Sequence, residues 1–328
     1  MVVAADHHLV GAPGSSHPLQ SRAMLRFDDR VVIVTGAGRN LGREYALLLA
    51  SRGARVVVND LGVAISDTDD VGSESVSDPG ADVVAEIIAA GGQAVLNRDT
   101  VATPEGGEAI VQTALDTWGR VDVVVNNAGQ ARMGAFADFP EAHLETLIST
   151  QLRGHFNVSR PAWRAMAANG GGRFVNVSSG SAWGLAGGAG YGMVKMGIIG
   201  LTRSMAAEGE AAGIRANVIT PYAKTRPGTG MGPFPWSETL GEWLAPRKVA
   251  PVVGWLAHES CPANGECFTV GAGHVARVSI VAAEGFIDRD LTIDSVAEHA
   301  DEIMHGPTSE VTPFRSNAFA RMFEGYPG

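Results

Sequence analysis

Val31-Val32-Ile33-Val34 leads through Thr35 straight into the glycine-rich run Gly36-Ala37-Gly38-Arg39-Asn40-Leu41-Gly42. A β-branched run without polar alternation has no face written for water, so such a strand belongs in a parallel sheet covered by helices on both sides. The glycines let the backbone turn tightly and approach a bulky group. A helix is expected next, from Leu41 to Arg52, with Leu41, Tyr45, Leu48 and Leu49 as its apolar stripe and Gly53 as its stop signal. Strand, glycine turn and helix start together aim free N–H groups and the positive end of a helix dipole at one point, which suits a pyrophosphate.

Ala54 to Asp60 reads as a second strand, ending in a carboxylate. An acid about twenty residues beyond such glycines accepts hydrogen bonds from ribose hydroxyls and repels a 2′-phosphate, so Asp60 favours NAD. Helix and strand then alternate: a helix over Ala81–Ala90, strand Ala94–Leu96, a helix near Glu105–Trp118, strand Val121–Val125, a long helix through Leu144–Ala168, strand Arg173–Val177, a helix around Tyr191, and strand Arg215–Ile219. Each pair makes a right-handed crossover, which predicts a Rossmann-like doubly wound parallel sheet with helices on both faces and a cofactor across the carboxyl ends of the strands. The expected layout is a leader over 1–23 with Met24 as the natural start, a single dinucleotide-binding domain over 24–273, and a C-terminal extension over 274–328 with an amphipathic stretch at Ile293–Met304.

Composition narrows the class. A net charge of −10 with no basic block argues against nucleic acid or an anionic membrane surface, and no apolar run is long enough to span a bilayer. Cys261 and Cys267 are too few for a disulfide framework and read as structural thiols in a reducing cytosol, hence a cytoplasmic protein. The acids of the inserted loop after Asp60 (Asp67, Asp69, Asp70, Glu74 and Asp78) lack calcium-ligand spacing, and no metal is expected.

Tyr191 and Lys195 stand four residues apart, on one face of a helix, downstream of Ser178-Ser179. A cation beside a phenol favours the phenolate, and a serine hydroxyl could hold a carbonyl or alcohol oxygen. A single Tyr-x-x-x-Lys occurs often by chance. Joined to Thr35-Gly36-Ala37-Gly38-Arg39-Asn40-Leu41-Gly42, Asn126-Asn127-Ala128-Gly129 and the strand Phe174-Val175-Asn176-Val177-Ser178-Ser179, it resembles the short-chain dehydrogenase/reductase family over about residues 27–273. Asn40 stands where the family has its middle glycine, a position that asparagine tolerates. The flanks Val58-Asn59-Asp60-Leu61-Gly62, Leu256–Cys261 and Val270–Gly273 are similar to the hydroxyacyl-CoA dehydrogenase branch of that family.

The resemblance implies an NAD(P)-dependent oxidoreductase acting on a small apolar secondary alcohol or ketone of hydroxyacyl-CoA, steroid or terpenoid type. It implies Ser178, Tyr191 and Lys195 as catalytic residues. Ser178 is chosen because it lies the family's usual thirteen residues before Tyr191, whereas alignment from the strand favours Ser179. The implied cofactor contacts are Gly36, Arg39, Asn40, Leu41, Asp60, Asp99, Thr100, Asn127, Ala128, Gly129, Pro221 and Thr225, together with Tyr191 and Lys195. Arg39 is where NADP-preferring relatives carry a basic residue, so NADP stays open beside NAD.

Gln151 takes the place of a relay asparagine, and Tyr222 follows Pro221 where the family has glycine, its ring filling the wall. Trp183, Leu185 and Ala186 suggest a roomy apolar wall, Lys224–Trp243 a lid, and Arg226 or Arg247 would have to meet a CoA phosphate. A homotetramer or homodimer is expected through the long helices. The competing reading, a catalytically silent nucleotide-binding relative acting as a sensor or interaction protein, suits a chain that has lost the tyrosine or lysine, and both are present here. Tyr191→Phe is expected to keep cofactor binding and lose about a hundredfold or more in kcat, read in a steady-state NADH assay; near-normal turnover would refute this chemistry.

Overall fold

The computed structural model describes residues 24–62, 78–224 and 241–311. The leader, the acidic insertion from Asp67 to Glu74, and Thr225, Arg226, Phe234 and Trp236 of the expected lid lie outside them. The strands are β1 (Val31–Thr35), β2 (Arg55–Asn59), β3 (Gln93–Asn97), β4 (Val123–Asn126), β5 (Gly172–Val177), β6 (Ile214–Tyr222), β7 (Cys267–Gly271), β8 (His274–Val278), β9 (Val281–Ala283) and β10 (Thr308–Glu310). The helices are α1 (Asn40–Ser51), α2 (Pro79–Ala89), α3 (Pro104–Trp118), α4 (Glu141–Leu147), α5 (Gly154–Ala168), α6 (Ala189–Gly209), α7 (Ala250–Ala257), α8 (Ile293–Glu298) and α9 (Ala300–His305).

One eight-stranded sheet runs in the order β3-β2-β1-β4-β5-β6-β7-β8, parallel from β3 to β7. This is the doubly wound fold expected from the alternation. The uninterrupted valine runs are explained by burial on both faces. Val32, Val34, Val56, Val58 and Val125 pack with Tyr45 and Leu49 of α1, Ile87 of α2 and Leu256 of α7. Val31, Ile33, Val57 and Val124 face the other way, with Ile110 of α3, Val158 and Met166 of α5 and Met205 of α6. Full burial of each such side chain stabilises by roughly 1.5–3 kcal/mol.

Two expectations are modified. The sheet does not end at Gly273: β8 adds antiparallel to β7, so the segment set apart as an extension begins by completing the sheet. The single helix expected through Leu144–Ala168 is interrupted by a π-helical turn, Ile148–Arg153, between α4 and α5. The Ile293–Met304 stretch forms two short helices, α8 and α9, and the 308–310 strand pairs antiparallel with β9.

Strand order reverses between β1 and β4, and one side chain ties the two carboxyl ends together. The buried Thr35 hydroxyl accepts from the amides of Asn127 and Ala128, each at 3.0 Å. The Asn127 amide in turn donates to the carbonyls of Thr35 at 3.0 Å and Gly36 at 3.1 Å. Thr35→Val, nearly isosteric, leaves two backbone donors without an acceptor at a cost of about 2 kcal/mol. For a domain of this size that corresponds to a fall of roughly 4–8 °C in Tm, measurable by thermal denaturation.

Candidate active site

Three glycines shape the loop after β1, each for a steric reason. Gly36 has φ +62°, and a Cβ there would stand 2.9 Å from Ala128 Cα; a Cβ on Gly42 would lie 2.1 Å from the Gly36 carbonyl oxygen; one on Gly38 would lie 2.7 Å from Asp60 Oδ2. Asn40 adopts φ +48°, so it fulfils the backbone demand normally met by glycine there. The helix that follows differs from its neighbours. Asp78 caps α2 through Ala81 N and Thr103 caps α3 through Gly106 N, whereas Arg39 offers α1 no side-chain cap. The first-turn amides of α1 are thus left for an anion, beside a loop whose backbone admits close approach, and a dinucleotide pyrophosphate fits this donor set.

Asp60 stands beneath the loop. Its Oδ2 accepts from Gly38 N at 2.9 Å and its Oδ1 from Gly62 N at 3.0 Å, which orients the carboxylate at the carboxyl edge of β2. Next to it, Asn59 donates to Asn97 Oδ1 at 2.8 Å and to the Asp99 carbonyl at 2.9 Å, and Asn97 donates to the Asp99 carboxylate at 2.7 Å. Asp99 and Thr100 therefore lie at the same edge, with Asp99 exposed. Asn59 and Asn97 escaped the sequence reading; a polar residue closing an otherwise apolar strand was the available signal.

Deeper in, buried asparagines span the sheet toward α6. Asn126 donates to Asn176 Oδ1 at 2.9 Å and to Ser159 at 3.0 Å, and Asn176 donates to the Thr202 hydroxyl at 2.9 Å. Ser178 follows directly on β5 and its amide continues the ladder to the Ile219 carbonyl at 2.8 Å, so it points the same way as Asn176, toward α6. Ser178 is 2 % exposed and its hydroxyl donates to the Lys195 carbonyl at 2.8 Å. Ser178 is the serine that the spacing to Tyr191 selects. Its hydroxyl is enclosed between β5 and α6, whereas Ser179, half-buried in the next turn, places its side chain in hydrogen-bonding contact with the Tyr191 phenol.

Lys195 is buried, donates to the Val177 carbonyl at 3.0 Å, and holds its ammonium 5.5 Å from the centre of the Tyr191 ring. Burial pulls Lys195 down to about 7 and pushes Tyr191 up to about 12, the Ser179 hydrogen bond opposing the latter. Desolvation is the largest cause at both groups, and the Ser179 hydrogen bond favours the phenolate.

Gln151 sits fully buried in the π-helical turn, donating to the Gln130 carbonyl at 2.6 Å while its Oε1 has no partner among the described residues. His155, one turn on, approaches the Gln151 carbonyl through Nδ1 at 2.5 Å. A carbonyl only accepts, so Nδ1 carries the proton. Burial first, then the Lys195 charge, lowers His155 to about 3 and keeps it neutral. Sequence reasoning passed over His155, since nothing in its spacing distinguishes it from a surface residue. Gly129 is required beside Gln151: a Cβ would lie 2.8 Å from its amide.

Apolar side chains gather around the loops that follow β4 and β5. Trp183 and Leu185 are exposed, Met133 approaches Gly188, and Phe139 packs against Gly134 and Gly190. Gly134 N donates to the Gly187 carbonyl at 2.8 Å, joining the loops after β4 and β5. Pro221 reaches the same edge from β6; Arg247 is paired with Glu242.

A family model for the short chain dehydrogenases matches residues 30–230. The chain belongs to the short-chain dehydrogenase family. This dehydrogenase is therefore an oxidoreductase acting on CH–OH groups and built around a nicotinamide cofactor. It is 45% identical over 285 residues to mouse peroxisomal multifunctional enzyme type 2, covering 85% of this chain and 37% of that protein. The chain thus spans little more than a third of that relative. A crystal structure of a short chain dehydrogenase from Mycobacterium avium superposes with a TM-score of 0.74 at 35% identity, covering 88% of this chain and 99% of the other. A 7α-hydroxysteroid dehydrogenase complexed with NADH and 7-oxo glycochenodeoxycholic acid gives 0.66 at 28% identity, covering 76% and 95%.

The two serines are separable by experiment. Ser179→Ala is expected to lower kcat by about a hundredfold with Tm unchanged within a degree or so; Ser178→Ala, losing one buried hydrogen bond, is expected to lower Tm by roughly 2–4 °C and kcat far less. Equal losses of kcat in both would refute the assignment.

Proposed function

We propose that the chain is an NAD-preferring dehydrogenase that interconverts a secondary alcohol and a ketone on an apolar substrate of hydroxyacyl-CoA or steroid type, with Ser179, Tyr191 and Lys195 as its working residues. The carrying observation is that the Tyr191–Ser179 pair and the Gly36–Gly42 loop open on one carboxyl edge of the sheet, the phenol over a buried ammonium. An oxidised nicotinamide, when bound, accepts a hydride and adds positive charge beside Tyr191. Ser179 holds the substrate oxygen. Tyr191, as phenolate, takes the hydroxyl proton while hydride leaves the same carbon, and returns that proton in the reductive direction. Lys195 is anchored on the Val177 carbonyl and so faces the phenol from below.

Gly36, Arg39, Asn40 and Leu41 would surround the pyrophosphate, Asn127, Ala128 and Gly129 the adenosine side, and Pro221 the nicotinamide. The preference for NAD rests on the Asp60 carboxylate, held in place by two amides where a 2′-phosphate would have to sit. The substrate class rests on the apolar wall of Trp183, Leu185, Met133 and Phe139 and on the names carried by the two relatives. Self-association is supported by the exposed apolar residues Phe156 on α5 and Met193 and Met196 on α6. A reducing, cytoplasmic setting is supported by Cys261 and Cys267, both buried free thiols.

The test is oxidation of 3-hydroxyacyl thioesters and hydroxysteroids with NAD and with NADP. Because burial sets Tyr191 high, the phenolate fraction grows as pH rises, so kcat/KM for oxidation should increase between about pH 6 and about pH 9, while that for ketone reduction, which uses the still-protonated phenol, should stay level. Tighter binding of NADP than NAD would overturn the cofactor choice, and failure of every secondary alcohol despite cofactor binding would overturn the activity.

A further inference from the structure

Tyr222 ends β6 on the face that carries α6. Val218, four residues earlier on the strand, groups with Ile198 and Ile199 of that helix, and residues an even number apart share a face. Two glycines make room for the ring. Gly271, its partner across the sheet, would with a Cβ come within 2.7 Å of Tyr222 Cβ. Gly180 would with a Cβ come within 2.0 Å of Tyr222 Oη and 2.6 Å of Cζ. The hydroxyl end of the ring therefore rests on the backbone of the residue immediately after Ser179.

A tyrosine that only fills a wall is buried with its hydroxyl satisfied. Tyr222 is 38% exposed, and its hydroxyl has no hydrogen-bond partner among the described residues. A second phenol thus ends, half exposed, against Gly180, the residue next to Ser179, with a donor to give.

Building on the dehydrogenase reading above, we propose that Tyr222 is a specificity-determining residue whose hydroxyl donates a hydrogen bond to a second oxygen of the substrate, borne close to the reacting carbon. A 3-hydroxyacyl thioester carries such an oxygen, its carbonyl lying two carbons from the carbinol. An isolated secondary alcohol does not. Unlike Tyr191, Tyr222 moves no proton in the reaction, and its effect is on which alcohol is held in register.

The experiment compares kcat/KM for a 3-hydroxyacyl thioester of N-acetylcysteamine with that for a secondary alcohol of equal chain length lacking the thioester, in wild type, Tyr222→Phe and Tyr222→Gly. Tyr222→Phe retains the ring and is checked by Tm and NAD binding. The expected result is a fall of about five- to tenfold in the thioester-to-alcohol ratio for Tyr222→Phe, the worth of one neutral hydrogen bond. An unchanged ratio in Tyr222→Phe overturns the proposal, and a change confined to Tyr222→Gly does so too, since ring volume would then be the selector. A wild-type enzyme that binds NAD yet oxidises neither substrate overturns the dehydrogenase reading, and this proposal with it.

Discussion

The junction of β1 and β4 is the constraint on which the remaining site geometry depends. In a sheet that grows first one way and then the other, the carboxyl ends of the two central strands must diverge to make a crevice yet stay in register. The Thr35 hydroxyl meets both needs by accepting two amides from the start of the β4 loop, and Asn127 answers with two bonds to the backbone of the glycine turn. The steric demands on Gly36 and Gly42 follow, because Ala128 and Asn127 are drawn in against them. Asp60 then closes the loop from the β2 side through Gly38 N. Three strand ends are so joined by side chains that lie within or directly against them.

The chemical half of the site rests on a different device, the burial of polar groups between β5 and α6. Asn176 of β5 and Ser178 just beyond its end point into the helix, bonding Thr202 and the Lys195 carbonyl, and Lys195 reaches back to the Val177 carbonyl. A buried polar group without a partner is costly, so these mutual bonds hold helix and strand in one relative position. The same desolvation moves the phenol and the ammonium away from their ordinary pKa values in opposite directions.

Where local pattern was strong, the sequence was readable. The β-branched run of β1 and the apolar stripe of α1 with its stop at Gly53 place those elements within a residue or so of their observed ends. The break between α4 and α5 was not legible, since a π-helical turn leaves the apolar periodicity largely intact while changing which carbonyl is free. The antiparallel β8 was hidden by the short turn through Gly273, whose pairing partner is decided by the edge of the sheet rather than by the segment itself.

What the chain determines by itself is the alternation of strand and helix, the glycine turn after β1, the acid at Asp60, and the Tyr191–Lys195 spacing, because each depends on residues within a turn or a strand of one another. Which serine faces the phenol, how far Lys195 is desolvated, and how closely Tyr222 comes to Gly180 were decided only by tertiary structure. Those outcomes depend on the packing of β5, β6 and α6 against each other, and a one-residue change in a connecting loop shifts which hydroxyl enters the cleft without altering any local signal.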